Sequence, residues 1–167
     1  MFDFFKSKNT TNEETNDGIF NEIAEEITEV VEEVTPTGVG ITNIQQRSDF
    51  FEQQEGIEAG TGSGVIYKNN DGTAFVVTNH HVIEGATHLY ISHSGSEETF
   101  KAEVVTYDEA HDLAIIKITD ENFSGFGTMK YGFKKDTEDV GMGVFVLGYP
   151  MVQTMGTEIK LTTGVVS

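Results

Sequence analysis

Two of the five histidines stand side by side in Val77-Thr78-Asn79-His80-His81-Val82-Ile83, at the end of an apolar run. Further along, a carboxylate stands at the mouth of a second apolar run, in Asp108-Glu109-Ala110-His111-Asp112-Leu113-Ala114-Ile115-Ile116-Lys117. A base and the acid that orients it need this kind of placement, partly buried so that their hydrogen bond is strong, yet at an edge that a substrate can reach. The chemistry on offer is proton transfer to and from a nucleophile. A lone histidine at a strand end is more often structural, and the acidic segment downstream is what raises the pair to a catalytic candidate. A metal site made from His80, His81, His111 and Asp112 is the weaker reading. Adjacent residues on an extended chain face opposite ways, and the helical two-histidine zinc pattern is absent. Gly60-x-Gly62-x-Gly64 lacks both a phosphate-loop lysine and a following helix, so no nucleotide site and no cofactor are expected. With no cysteine in the chain, a thiol nucleophile, a thiolate metal site and a disulfide framework are all excluded.

The elements that must position these residues are short and β-rich. Runs at Val39 to Ile44, Gly64 to Lys68, Ala74 to Thr78, His88 to Ser92, Thr99 to Thr106 and Leu113 to Ile118 are separated by Gly, Asn, Asp and Ser. Asn69-Asn70-Asp71-Gly72 and Ser94-Gly95-Ser96 supply turn residues between them. Six such strands with no helical segment between them predict an antiparallel barrel or sandwich from about Val39 to Ile118. Two more strands, Gly143 to Leu147 and Ile159 to Val166, follow a connection. Upstream, residues 7–18 read as a solvated tail, and Phe20, Ile23, Ala24, Ile27, Val30, Val31 and Val34 then recur at helical spacing up to Pro36. The opposite face, Glu22, Glu25, Glu26, Glu29, Glu32 and Glu33, is a row of like charges. A packing or linking helix with a wet face is the plain reading, and helix-mediated oligomerisation the sharper one. The chain divides on this basis into a tail and acidic helix (1–36), a β domain (37–120), and a connection with two further strands (121–167).

Gly62-Ser63-Gly64-Val65-Ile66, Thr78-Asn79-His80-His81-Val82, Asp112-Leu113-Ala114-Ile115-Ile116-Lys117, Gly148-Tyr149-Pro150 and Leu161-Thr162-Thr163-Gly164-Val165-Val166-Ser167 follow one another along the chain. In order and spacing they resemble the signature blocks of trypsin-like serine peptidases of the Deg/HtrA type. The resemblance runs from about Thr37 to Ser167 and leaves the acidic helix uncovered. It implies an all-β fold, a six-stranded antiparallel Greek-key barrel (37–120) with an inter-barrel connection and the first strands of a second barrel (121–167). It also implies peptide-bond hydrolysis of polypeptide substrates through a Ser-His-Asp triad. The family pattern Thr-Asn-x-His-Val makes His81 the general base and His80 the variable position, and Asp112 becomes the orienting acid. The nucleophile block, Gly-Asn-Ser-Gly-Gly-Pro, does not occur in this sequence. Ser63 precedes the histidine in a strand-opening position and is a poor substitute, Ser94 and Ser96 lie in a turn, and Ser167 is the last residue. The expectation is a truncated or processed stretch of a serine endopeptidase, inactive alone because triad members act as a unit. The competing expectation is a non-catalytic partner-binding module of peptidase ancestry.

The formal net charge of −18 over 167 residues argues against partners that are nucleic acid or anionic membrane, both of which would repel the chain. No stretch reaches membrane-spanning length and the first residues lack the pattern of a secretory signal, so the expected location is the cytoplasm. Self-association through the acidic helix or through exposed strand edges is expected.

Overall fold

A computed structural model describes residues 24–25, 27–46, 56–70, 72–93, 96–126, 139–149 and 159–167. Contacts divide the chain after Val34. In the first unit, helix α1 is described at residues 24–25 and 27–34. Ala24, Ile27, Val31 and Val34 are its half-buried positions, and Glu25, Glu29, Glu32 and Glu33 are exposed. Val30 departs from the predicted apolar stripe and is 49% exposed. One residue of helix is a rotation of about 100°, so a stripe centred on Ile27, Val31 and Val34 leaves position 30 on its flank. Phe20, Ile23 and the polar tail lie outside the described residues. No helix among the described residues is long and apolar enough to cross a membrane.

The second unit opens with a 3₁₀ turn, Thr35–Thr37. Pro36 has no N–H to continue an α-helical ladder, so helical geometry ends there. The elements that follow are β1 (Gly38–Gln46), β2 (Gly56–Asn70), β3 (Thr73–Thr78), α2 (His80–Ile83), β4 (His88–His93), β5 (Thr99–Asp108), β6 (Leu113–Ile118), β7 (Gly143–Gly148) and β8 (Lys160–Val165). The first six strands close into a barrel in the order β1-β2-β3-β6-β5-β4. Every neighbouring pair is antiparallel. This is the six-stranded all-β barrel that the family resemblance implies, with two differences from the strands read in the sequence. β2 begins well before Gly64, because its first half pairs with β1 and its second half with β3. Backbone pairing with β1 thus carries the strand through Gly60, Thr61 and Gly62, which show no apolar alternation. A single helical turn, α2, also falls between β3 and β4, where no helix was expected.

Burial alternates along β3, β4 and β6 as the pleat requires. Val39 and Ile41 of β1, Ala74 and Val76 of β3, Leu89 and Ile91 of β4, and Ala114, Ile116 and Ile118 of β6 point inward and are nearly or completely buried. Each large aliphatic among them contributes about 1.5–3 kcal/mol of transfer free energy. Ile83 of α2 joins the same core, which ties the helical turn to the barrel. Phe123 packs edge-on against Phe100 and Phe126, at centroid distances of 5.0 and 4.7 Å.

β7 and β8 form a separate antiparallel pair, from Gly143↔Val165 to Gly148↔Lys160. Tyr149, just past β7, anchors the pair to the barrel. It is 2% exposed, its ring lies against Gly40, and its N–H donates to Ser63 Oγ at 2.6 Å. Gly62 and Gly64 show why the block around Ser63 is rich in glycine. A Cβ at Gly64 would sit 2.4 Å from Val76 Cγ1 and 2.9 Å from Ile41 Cδ1, and one at Gly62 would sit 2.5 Å from Val82 Cγ2. Gly64→Ala is therefore predicted to overpack the core and lower stability by about 1–3 kcal/mol. Thermal denaturation followed by circular dichroism reads this as a lowered Tm, and an unchanged Tm would show that the core has room for the methyl group.

Candidate active site

Register brings the two chemistry-bearing segments together. β3 and β6 pair antiparallel with Thr78 opposite Ala114, so the residues leaving β3 meet those entering β6. Thr78 is 5% exposed and its Oγ1 donates to the carbonyl of Ser63 at 2.8 Å, which pins the strand end. Asn79 is extended (φ −83°, ψ 148°) and occupies the cap position of α2, yet its side chain caps nothing in the helix. Its Nδ2 instead donates to the main-chain oxygen of Asp112 at 3.0 Å and to Oδ2 of the same residue at 3.3 Å.

The Asp112 carboxylate fills the vacant capping role from across the barrel edge. Oδ1 accepts the backbone N–H of His81 at 2.9 Å, and Oδ2 lies 2.7 Å from His81 Nδ1. An ionised carboxylate only accepts, so the ring proton belongs on Nδ1, and Nε2 is left with its lone pair. That is the tautomer a general base requires. The peptide and ring of His81 are thus held by one carboxylate through both oxygens. Its carboxyl is held below the ordinary aspartate value, first by the His81 backbone N–H and then by the His81 ring.

Asp112 is the one non-glycine residue with positive φ (51°) among the described residues. That conformation costs an L-residue about 1–2 kcal/mol. It is set by the tight turn before β6, in which the Asp112 N–H donates to the carbonyl of Glu109 and the His111 N–H donates to Asp108 Oδ1. The hydrogen bonds that Asp112 makes to Asn79 and His81 offset the strain.

The remaining histidines go elsewhere. His80 stacks on Tyr107 of β5, with centroids 4.7 Å apart and planes 25° from parallel. His111 pairs through Nδ1 with its own neighbour Asp108, at 2.7 Å. Both adjacent histidines lie on a helical turn and not on the extended chain assumed from sequence, so alternation is not what separates them. Their separate partners, Tyr107 and Asp112, do so. No group of three metal-ligating side chains occurs among the described residues. Ser63 accepts the Tyr149 N–H, and Ser96 Oγ accepts the N–H of Glu98, while Ser94 lies outside the described residues. A cleft of about 530 Å³ opens beside His81, lined by Asn43, Gln45, Gly60, Thr61 and Glu84.

The profile of the trypsin-like peptidase domain matches residues 62–167, which span β2 through β8 and include both His81 and Asp112. The chain belongs to the trypsin-like peptidases, of the Deg/HtrA type. It is 34% identical over 155 residues to the serine protease Do-like HtrA of Bacillus subtilis, a match covering 88% of this chain and 33% of that protein. It is 36% identical over 141 residues to the protein of that name from Lactococcus lactis, covering 75% of this chain and 34% of the relative. It is also 36% identical over 137 residues to the chloroplastic protease Do-like 1 of Arabidopsis thaliana, covering 81% and 29%. The chain spans about a third of the length of these curated relatives.

Asn79 belongs to the site although nothing in the sequence assigns it a role there. An asparagine between a strand and a helical turn signals a cap, but that its amide serves Asp112 follows only from the β3–β6 register. Because the folded carboxyl of Asp112 is held down, the pairing contributes stability at pH values above the unfolded aspartate value of about 3.9. That contribution is lost as pH falls through the lower, folded value. NMR titration of the Asp112 side-chain carbon is predicted to show a midpoint below the ordinary aspartate range. A midpoint at or above it would remove the carboxylate from the role assigned here.

Proposed function

We propose that this chain supplies the base and the acid of a serine-type endopeptidase acting on polypeptides. His81 takes the proton of a serine nucleophile through Nε2, and Asp112 fixes the tautomer and stabilises the imidazolium that forms. The carrying observation is the double hold of one carboxylate on the peptide and the ring of a single histidine. The names of the relatives, serine proteases, support the same activity. On this reading the serine and the N–H donors for the oxyanion come from the family's Gly-Asn-Ser-Gly-Gly-Pro block, which residues 1–167 do not contain. Polypeptide residues 1–167 by themselves therefore hydrolyse no peptide.

The full-length protein is predicted to react with a fluorophosphonate probe at a serine, and His81→Ala to abolish the labelling. Asp112→Asn, which leaves the wrong tautomer, is predicted to lower kcat by on the order of 10⁴-fold. A well-folded full-length protein that takes no label would sink the peptidase reading in favour of a binding module.

The exposed apolar positions Phe145 (45%), Val146 (60%) and Val165 (67%) on β7 and β8 support self-association of the isolated chain. Sedimentation of the 167-residue chain is expected to show concentration-dependent oligomers, reduced by Val146→Lys. A monomer at all concentrations would contradict this.

A further inference from the structure

The helical turn that carries His81 is held at both ends, and the Asp112 carboxylate accounts for only one. At the carbonyl end, Asn43 of β1 donates from Nδ2 to the main-chain oxygens of Val82 at 2.9 Å and of Glu84 at 3.0 Å. Gln45, on the same strand, donates from Nε2 to Glu84 at 3.0 Å. Asn43 is 3% exposed, and its Oδ1 is the one buried side-chain polar atom without a partner among the described residues. Two carbonyl partners fix the orientation of the amide, because exchanging its O and N would set oxygen against oxygen. An unpaired buried acceptor is costly, and an aliphatic residue of similar size would fill the space without that cost. What the asparagine supplies in exchange is its pair of donors.

Those donors act on an element that cannot hold itself. α2 is a single turn, too short to persist without tertiary partners, and the carbonyls at its end have no intrahelical N–H to bind. We propose that Asn43 is a positioning residue for His81. By tying the carbonyls of Val82 and Glu84 to β1, it fixes the far end of α2 and keeps the His81 ring on Asp112, with Nε2 free for a nucleophile. The proposal rests on the reading of His81 as the base. His111 provides an internal contrast. Its ring makes the same 2.7 Å contact to a carboxylate and is similarly exposed, but Asp108 is its local neighbour three residues away. Loosening α2 therefore disturbs the His81 pair and spares the His111 pair.

The test is ¹⁵N NMR of the ring nitrogens in the 167-residue chain, labelled at histidine, with thermal denaturation alongside. In Asn43→Leu, which removes both donors, and in Asn43→Asp, which keeps the shape without an N–H, His81 is expected to lose its preference for the Nδ1–H tautomer. The His111 signals stay where they were. Ile118→Val, a core change at the end of β6 far from Asp112, lowers Tm and leaves the His81 tautomer unaltered. In the full-length protein both Asn43 variants lower kcat by about 10-fold to 100-fold with little change in KM.

An unchanged His81 tautomer in folded Asn43→Leu overturns the proposal, as does an equal change in Ile118→Val. Should Asn43→Leu fail to fold, Asn43→Asp carries the same expectation and the same power to refute. The tautomer needs no nucleophile to be observed, so this result stands apart from the fluorophosphonate labelling that tests the peptidase reading.

Discussion

The carboxylate of Asp112 is bound at both oxygens by the same residue, once through the peptide N–H of His81 and once through its ring. Much of the barrel edge is arranged to make this double contact available. The residue that accepts it enters β6, the residue that donates to it leaves β3 on a helical turn, and the antiparallel register of those two strands places them face to face. Asn79 closes the arrangement by giving its amide to the same aspartate. One carboxylate thus bears on the position, orientation and tautomer of the imidazole at once.

The arrangement requires departures from local preference. Asp112 adopts a left-handed backbone that an L-residue disfavours. Asn79 forgoes the capping bond that its position invites. Asn43 buries an oxygen that has no partner among the described residues. Each departure lies on a residue touching α2 or its partner, whereas the interior of the barrel follows the ordinary rule of inward aliphatics on alternating positions. Local preference is overruled where tertiary contacts over-determine the conformation, and the well-packed core supplies the rigidity that makes this tolerable.

Glycine has a specific place in the same design. Val82 of α2 approaches Gly62 so closely that a methyl group there would collide with it, and the core around Val76 does the same at Gly64. Gly-Ser-Gly is thus a contact surface on which the helical turn and the barrel core both rest. Ser63 between the two glycines binds Thr78 through its carbonyl and Tyr149 through its hydroxyl. A serine that invites a catalytic reading in one dimension serves in three as the junction of β2, β3 and the β7–β8 pair.

The strands, their alternation and the candidates His81 and Asp112 were legible in the chain, because alternation of side-chain polarity at period two and the order of local blocks are properties of sequence itself. The choice of His81 over His80 came from the family pattern and not from the physics of either residue, since both leave the same strand end. The fold added the full extent of β2, the existence of α2, the stacking of His80 on Tyr107 and the roles of Asn79 and Asn43. These depend on which strands become neighbours, a matter of pairing between segments far apart in the chain. Sequence by itself singled out the residues proposed as the acid and the base. Only the tertiary structure decided how they are held, because a hydrogen bond between residues 81 and 112 exists only once the register of two separate strands has been set.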